Sequence, residues 1–242
     1  MSVDLSIIVP CYNEEPNIPR LWEEIKKAME ASDVSWELIL IDDGSHDGTR
    51  RLIKELEESD PRVKGVYHET NRGIVAGWKS GLAASEGKLV VTTDADLQYL
   101  PSDIPKLVAK QRETGADLVQ GWRRFSQKVP LWRRIISYSL SWMLKVLFGL
   151  KLKDVKSGFV VYKREVFEDI LDYRYPYREF QHFITAAAKA KGYRIEQLPV
   201  AFVERTAGES FIKRPVRFML RVIADLPWAI REYKLQGRKR KA

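Results

Sequence analysis

The chain has 242 residues, enough for one domain, or one domain with a subdomain, and for a sizeable core. With 45% hydrophobic and 31% charged residues it has the balance of an ordinary soluble globular protein, and its formal net charge of +8 favours anionic partners such as nucleic acid, a membrane surface or phosphorylated substrates. Cys11 is the only cysteine, which excludes an intramolecular disulfide and points to a reducing compartment, and His46, His68 and His182 are scattered without metal-ligand spacing.

The first residues lead straight into a strand pattern, with no basic n-region or cleavage site, so no signal peptide is expected. Apolar runs at 5–9, 36–41, 63–67 and 89–93, followed by one at 117–120, read as strands. Between them, 18–31, 49–59, 74–85 and 103–114 read as helices; in the first, Ile18, Leu21, Trp22, Ile25 and Met29 recur at helical spacing. Strand–helix alternation with near-continuous apolar strands predicts an α/β fold: a mainly parallel sheet covered on both faces. In the second half, 132–150 predicts an amphipathic helix, 159–162 a short strand, and 180–191 a helix stopped at Gly192. Residues 194–203 look extended, 215–233 predicts a basic amphipathic helix, and the tail Gly237-Arg238-Lys239-Arg240-Lys241 predicts disorder. The nearest approach to a membrane span, 135–150, carries Ser137, Ser139, Ser141 and Lys145 and falls short of the ~20 apolar residues required.

In a parallel sheet of this kind ligands sit outside the carboxyl ends of the strands. There the chain is unusual: Pro10-Cys11-Tyr12-Asn13-Glu14-Glu15 follows the first strand, Asp42-Asp43-Gly44-Ser45-His46-Asp47-Gly48-Thr49 the second, and Asp94-Ala95-Asp96-Leu97-Gln98 the fourth. Carboxylates gathered at one rim of a basic protein repel one another unless a cation or hydrogen-bond donors sit among them. A plainer reading makes Asp94 and Asp96 turn residues, Asp47 a helix N-cap and Tyr12 a packing residue.

The motifs Val9-Pro10-Cys11-Tyr12-Asn13-Glu14, Ile41-Asp42-Asp43-Gly44-Ser45 with Asp47-Gly48-Thr49, Asn71-Arg72-Gly73, Asp94-Ala95-Asp96-Leu97-Gln98, Ser157-Gly158-Phe159 and Arg205-Thr206-Ala207-Gly208-Glu209-Ser210 occur in this order. Together they give a chain that resembles the family 2 glycosyltransferases of the GT-A (Rossmann-like) fold, over roughly residues 3–213, in the branch of dolichol-phosphate mannosyltransferases and polyprenyl-phosphate glucosyltransferases. The resemblance implies a GT-A domain over 1–213, with a nucleotide-sugar-binding half (1–122) and an acceptor-binding half (123–213), followed by the amphipathic helix and basic tail of 214–242. It implies nucleotide-sugar contacts from Pro10, Tyr12 (against the base), Glu14, Ile41, Asp43, Asp94, Ala95, Asp96, Arg123 and Arg205. Asp94 and Asp96 match the DxD pair and Gln98 an added metal ligand, so Mg²⁺ or Mn²⁺ is the implied cofactor, and Asp96 and Arg123 the implied catalytic residues. The family often has lysine directly after Gly-Glu-Ser; here Phe211 stands there, and Lys213 two residues on is the candidate replacement.

The implied reaction is inverting transfer of a hexose, mannose or glucose first, from a GDP- or UDP-sugar to a dolichyl-type polyprenyl phosphate. A phosphate acceptor is already ionised near neutral pH and calls for positive steering, which the basic helices and tail suit, on a protein lying peripherally on the cytoplasmic face of the membrane. Transfer to a glycan or glycolipid hydroxyl is the alternative and needs a base, for which Glu179 and His182 are the candidates. Helix 132–150 suits a buried core or a dimer face as well as a membrane. A nucleic-acid module would leave the acidic rim unexplained, and the complete DxD pair with Arg123 argues against a membrane scaffold that keeps the fold without catalysis; no nucleic-acid partner is expected.

Overall fold

The computed structural model describes residues 3–125, 131–205 and 215–236. Seven strands, β1 (Leu5–Cys11), β2 (Trp36–Asp43), β3 (Val63–His68), β4 (Leu89–Thr92), β5 (Leu118–Phe125), β6 (Val160–Lys163) and β7 (Ile195–Phe202), form one sheet in the order β3-β2-β1-β4-β6-β5-β7. Neighbours in the first four are parallel, as are β5 and β7, whereas β6 runs antiparallel to both β4 and β5. The helices are α1 (Ile18–Glu30), α2 (Thr49–Ser59), α3 (Ile74–Ala84), α4 (Ile104–Thr114), α5 (Leu131–Phe148), α6 (Arg164–Leu171), α7 (Ile184–Lys191) and α8 (Pro215–Ala229).

Alternating strand residues feed two cores. Leu5, Ile7, Val9, Leu38 and Leu40 pack with Leu21, Ile25, Ile53 and Leu107 of α1, α2 and α4. Ile8, Ile39 and Ile41 pack on the opposite face with Trp78, Leu144, Phe167, Ile184 and Val222 of α3 and α5 to α8. With helices on both faces, no strand face needs polar residues, so every residue of β2 is buried. This is the GT-A arrangement expected from the sequence, with C-terminal helices added.

Two expected helices change and two features come unannounced. The helix expected over 180–191 is a 3₁₀ turn, Phe180–His182, followed by α7; side chains three apart eclipse in a 3₁₀ turn, which seats Phe180 and Phe183 together in the core. The helix expected over 215–233 ends at Ala229 and continues as a π-turn, Ile230–Gln236. Pro227, two residues before that change, brings no N–H to the helical ladder. α6 has only eight residues, too few for a periodic signal. The reversed direction of β6 matters most: its start lies at the rim where β1, β2 and β4 end, so the loop entering β6 faces the loops leaving those strands.

Candidate active site

The loops leaving β1 and β2 brace each other. Asn13, at φ 54°, donates its amide to Ser45 Oγ (3.0 Å) and accepts the His46 amide on Oδ1 (2.9 Å). The Glu14 amide donates to Thr49 Oγ1 (2.8 Å), and the Gly48 amide to Glu15 Oε2 (2.9 Å). Asp47 Oδ1 accepts the Thr49 amide at 3.0 Å and its hydroxyl at 2.6 Å. Gly48, not Asp47, occupies the N-cap position of α2; Asp47 serves the first turn from one residue earlier. Tyr12 is half-buried, its ring edge-on to His46 at 6.3 Å. Pro10 faces Gly77 of α3, where a Cβ would come 3.1 Å from the proline ring. Ile41 is wholly buried beneath α3, against Gly81.

Asp43 ends β2 with its carboxylate buried and fully engaged. Oδ1 accepts the Arg72 amide (2.9 Å) and His68 Nδ1–H (2.7 Å), and Oδ2 accepts the Gly73 amide (2.8 Å). Ser80 Oγ lies 2.9 Å from the other ring nitrogen of His68. Asp43 therefore ties down the Asn71-Arg72-Gly73 loop beside the pocket. Its neighbour Asp42 is also buried, paired with Arg50 Nε at 2.6 Å.

The loop leaving β4 carries the acidic pair. Leu97 adopts φ 57°, a left-handed turn that lets the Gln98 amide donate back to Asp96 Oδ1 at 3.0 Å. Arg205 Nη2 reaches Asp96 Oδ2 at 2.7 Å, and its Nη1 lies 3.8 Å from Glu14. Burial of the Asp94 carboxyl, then the charge of Asp96, push Asp94 up to about 7, with Arg123 and Arg205 opposing. Burial also raises Glu14, whose carboxylate accepts Asn17 Nδ2 at 2.5 Å. The Gln98 side chain donates Nε2 to the Val203 carbonyl at 3.2 Å, and Ala95 is buried. Among the described residues no group of three or more His, Cys, Asp or Glu side chains stands in metal-binding range. Two crowded carboxylates with an amide oxygen fit a hard divalent ion nonetheless, since Mg²⁺-type sites take one or two carboxylates and complete themselves with substrate phosphates and water. Asp94 held near 7 is what a carboxylate pair without a cation between its members should show.

Across the rim, Arg123 on β5 forms a two-pronged pair with Asp154: Nε to Oδ2 at 2.7 Å and Nη2 to Oδ1 at 3.2 Å. Burial alone would raise Asp154, but the Arg123 charge overrides it and holds the carboxyl below its ordinary value. The amide of Lys156 also donates to Asp154 Oδ1 at 2.9 Å, while its Nζ donates to the carbonyl and hydroxyl oxygens of Ser137, both at 2.8 Å. Tyr99, buried against Phe159 and Phe202, meets Ser157 Oγ through its hydroxyl at 3.0 Å.

Glu14, Asp94, Asp96, Arg123 and Arg205 thus converge, with the Gln98 amide on Asp96 and its side chain on the Val203 carbonyl, and with Pro10, Tyr12, Ile41 and Asp43 along the same rim on β1 and β2. Lys213 and the stretch 206–210 lie outside the described residues. Sequence reasoning passed over Asp154, Lys156 and His68. Asp154 stands 31 positions from its arginine, and no local pattern marks such a pair.

A sequence model described as Glycosyl transferase family 2 matches residues 6–171. The chain belongs to that family. Among curated family 2 relatives, it is 31% identical over 228 residues to a dodecaprenyl-phosphate galacturonate synthase of Rhizobium johnstonii, an alignment covering 93% of this chain and 66% of that protein. It is 32% identical over 207 residues to an undecaprenyl-phosphate 4-deoxy-4-formamido-L-arabinose transferase of Salmonella choleraesuis, covering 85% and 62% respectively. The chain therefore spans less than two thirds of either relative's length. The fold matches a glucosyl-3-phosphoglycerate synthase of Mycobacterium tuberculosis, solved with Mn²⁺, UDP-glucose and phosphoglyceric acid, at TM-score 0.71 and 21% identity over 94% of this chain and 79% of that one. It also matches a mannosyltransferase of Pyrobaculum calidifontis, solved with GDP-Man and Mn²⁺, at TM-score 0.65 and 20% identity over 95% and 64%.

Proposed function

We propose that this family 2 chain transfers a sugar from a nucleotide-diphosphate donor to a polyprenyl phosphate. The observation that carries the reading is the pairing of a crowded carboxylate pair, Asp94 and Asp96, with two arginines, Arg123 and Arg205, at the carboxyl ends of parallel strands. Such a site suits a ligand that brings a divalent cation for the acids and phosphate oxygens for the guanidiniums. Asp94, Asp96 and Gln98 would hold the ion, which when bound supplies Lewis-acid stabilisation to the departing diphosphate. Arg205 would leave Asp96 for the phosphates, and Arg123, held in place by Asp154, would add a second guanidinium to them. Asp43 would act through the Arg72–Gly73 loop it anchors, beside Tyr12 and Pro10.

In the reaction an acceptor oxygen attacks the anomeric carbon; the bond from that carbon to the diphosphate breaks, and its electron pair stays on the diphosphate oxygen. The bases that a hydroxyl acceptor needs are poorly provided. Burial, then the charges of Lys156 and Arg123, lower His182 to about 3, so it is neutral and a weak base at physiological pH. Glu179 is buried, bonded by Gln181 Nε2 at 2.7 Å and facing Arg221 at 3.6 Å. A phosphate needs no base, and the names of both curated relatives point to polyprenyl phosphates. The sugar is a hexose in the sequence reading, mannose or glucose; the relatives' names add galacturonate and an aminoarabinose derivative to the donors worth assaying.

Among the described residues no helix is long and apolar enough to cross a membrane. α5 nevertheless exposes Tyr138, Trp142 and Val146 at four-residue intervals, and α8 with its π-turn exposes Leu220, Ile223, Trp228 and Leu235. This face suits shallow insertion in a bilayer whose anionic headgroups would meet the basic charge of the chain, on the cytoplasmic side.

A thermal-shift series with GDP- and UDP-sugars, each with Mg²⁺ or Mn²⁺, tests the donor half, and radiolabelled transfer to polyprenyl phosphate tests the acceptor half. Stabilisation by a nucleotide sugar only with metal is expected. No shift with any donor in either metal would refute the reading.

A further inference from the structure

Near Arg123 lie two polar groups whose hydrogen-bonding capacity is not filled among the described residues. Neither ring nitrogen of His182 has a hydrogen-bond partner among the described residues, although both are buried, and the ring stands edge-on to Phe218 of α8 at 5.1 Å. Lys156 Nζ has two oxygen partners, both on Ser137, and makes no ion pair among the described residues. An ammonium carries three donors, so one is unspent. Buried polar groups in native proteins are nearly always bonded, and those left over mark a missing water, ion or ligand. Here the spare groups are the third N–H of Lys156 and, on the neutral His182 ring, one N–H and one acceptor nitrogen, and the charges around them, Arg123 and Lys156 against Asp154, are positive in excess. The missing partner is an anion with several acceptor oxygens.

Its other end is also constrained. Ser137, which fixes Lys156, is followed by exposed Tyr138, and the apolar stripe of Trp142 and Val146 continues from it along α5. Phe218, against His182, belongs to α8, which exposes Leu220 and Ile223. An oxyanion seat at the base of two helices with exposed apolar faces fits a molecule with an ionised head and a hydrocarbon tail. We propose that Lys156 and His182 seat the phosphate group of the acceptor, with α5 and α8 taking its hydrocarbon chain. This rests on the transferase reading above. Lys156 donates its unspent N–H and His182 the single N–H of a neutral ring to phosphate oxygens, beside Arg123. The lowering of Lys156 to about 7, by burial and then by Arg123, agrees with a cation awaiting its counter-charge.

The experiment is calorimetric titration of farnesyl phosphate, and separately of farnesol, into the full chain and into the Lys156→Met and His182→Leu variants. A parallel titration uses nucleoside diphosphate with Mn²⁺. Each variant should weaken farnesyl phosphate by about tenfold or more, the size of one lost charge-assisted hydrogen bond, and leave nucleotide affinity unchanged. His182→Leu should not lower the melting temperature, because it removes a buried ring with no hydrogen-bond partner among the described residues. The proposal is overturned if both variants bind farnesyl phosphate like the parent chain, if nucleotide affinity falls in step, or if farnesol binds the parent as tightly as farnesyl phosphate. Failure of the nucleotide to bind the parent with any metal would instead sink the transferase reading, and the farnesyl phosphate arm would still decide this one.

Discussion

Replacing Asp94 with asparagine should stabilise the metal-free protein, and by more as the pH rises. In the fold, burial and Asp96 move this carboxyl from 3.8 to about 7. At ~1.4 kcal/mol per pH unit, that amounts to roughly 4 kcal/mol of differential proton binding. The folded value lies above the unfolded one, so the stability this group contributes is fully present below about pH 4, is lost as the pH climbs to 7, and is flat beyond. Asparagine does not titrate. The stability gap between variant and parent should therefore widen by about 2–3 kcal/mol between pH 5 and pH 8, or about 5–10 °C in melting temperature for a chain of this size. Urea unfolding followed by tryptophan fluorescence, in chelator at four pH values, measures the gap directly. A gap that stays constant with pH, or that narrows as pH rises, would refute the claim that Asp94 is a desolvated carboxylate repelled by Asp96. The same variant should lose the stabilisation that Mn²⁺ plus nucleoside diphosphate gives the parent, so that one substitution raises stability and abolishes ligand binding.

Arg205→Met should bind Mn²⁺ alone at least as well as the parent, since the guanidinium 2.7 Å from Asp96 no longer competes, yet bind nucleoside diphosphate about tenfold or more weakly; calorimetry separates the two. Asp154→Ala removes the two-pronged carboxylate partner of the buried Arg123 charge and should cost about 3 kcal/mol in urea unfolding. In the parent, the stabilisation from Asp154 should be present above the ordinary carboxylate pKa and fade as the pH falls through its lower folded value. Gly44→Ala should destabilise by at least about 2 kcal/mol in a thermal melt, because Gly44 sits at φ +72° and a Cβ would lie 2.5 Å from the Thr70 carbonyl carbon.

The sheet was legible because burial on both faces makes each strand a short apolar run, and Leu5 to Val9 or Trp36 to Ile41 need no other clue. The acids after those strands were legible as a group, since their position on the rim follows from strand direction. Their individual partners were not. Asp43 looks like a ligand contact in the sequence, while its hydrogen bonds go to His68, Arg72 and Gly73, 25 to 30 residues away. Lys156 lies one residue before the recognised Ser157-Gly158-Phe159 stretch, and its importance appears only when α5 brings Ser137 onto its ammonium. Local pattern encodes which residues reach the rim; closure of the chain decides which of them touch. Helix 180–191 failed for a similar reason, because the demand to bury Phe180 and Phe183 together outweighed continuous α-helical geometry.

The reversal of β6 also has a consequence for how such a site can diversify. The chain leaves the sheet at the end of β5, five residues beyond Gln120, and rejoins it at the start of β6, where Val160 pairs with Gln120. Everything between, including α5, Asp154, Lys156 and Ser157, is a closed excursion whose two ends share one rim. It can lengthen, shorten or be exchanged without shifting the register of β1, β2, β3 or β4. A transplant of this segment between relatives should carry acceptor preference with it and leave the nucleotide half as it was. The fold thereby separates two inheritances that a single active site would otherwise force to evolve together.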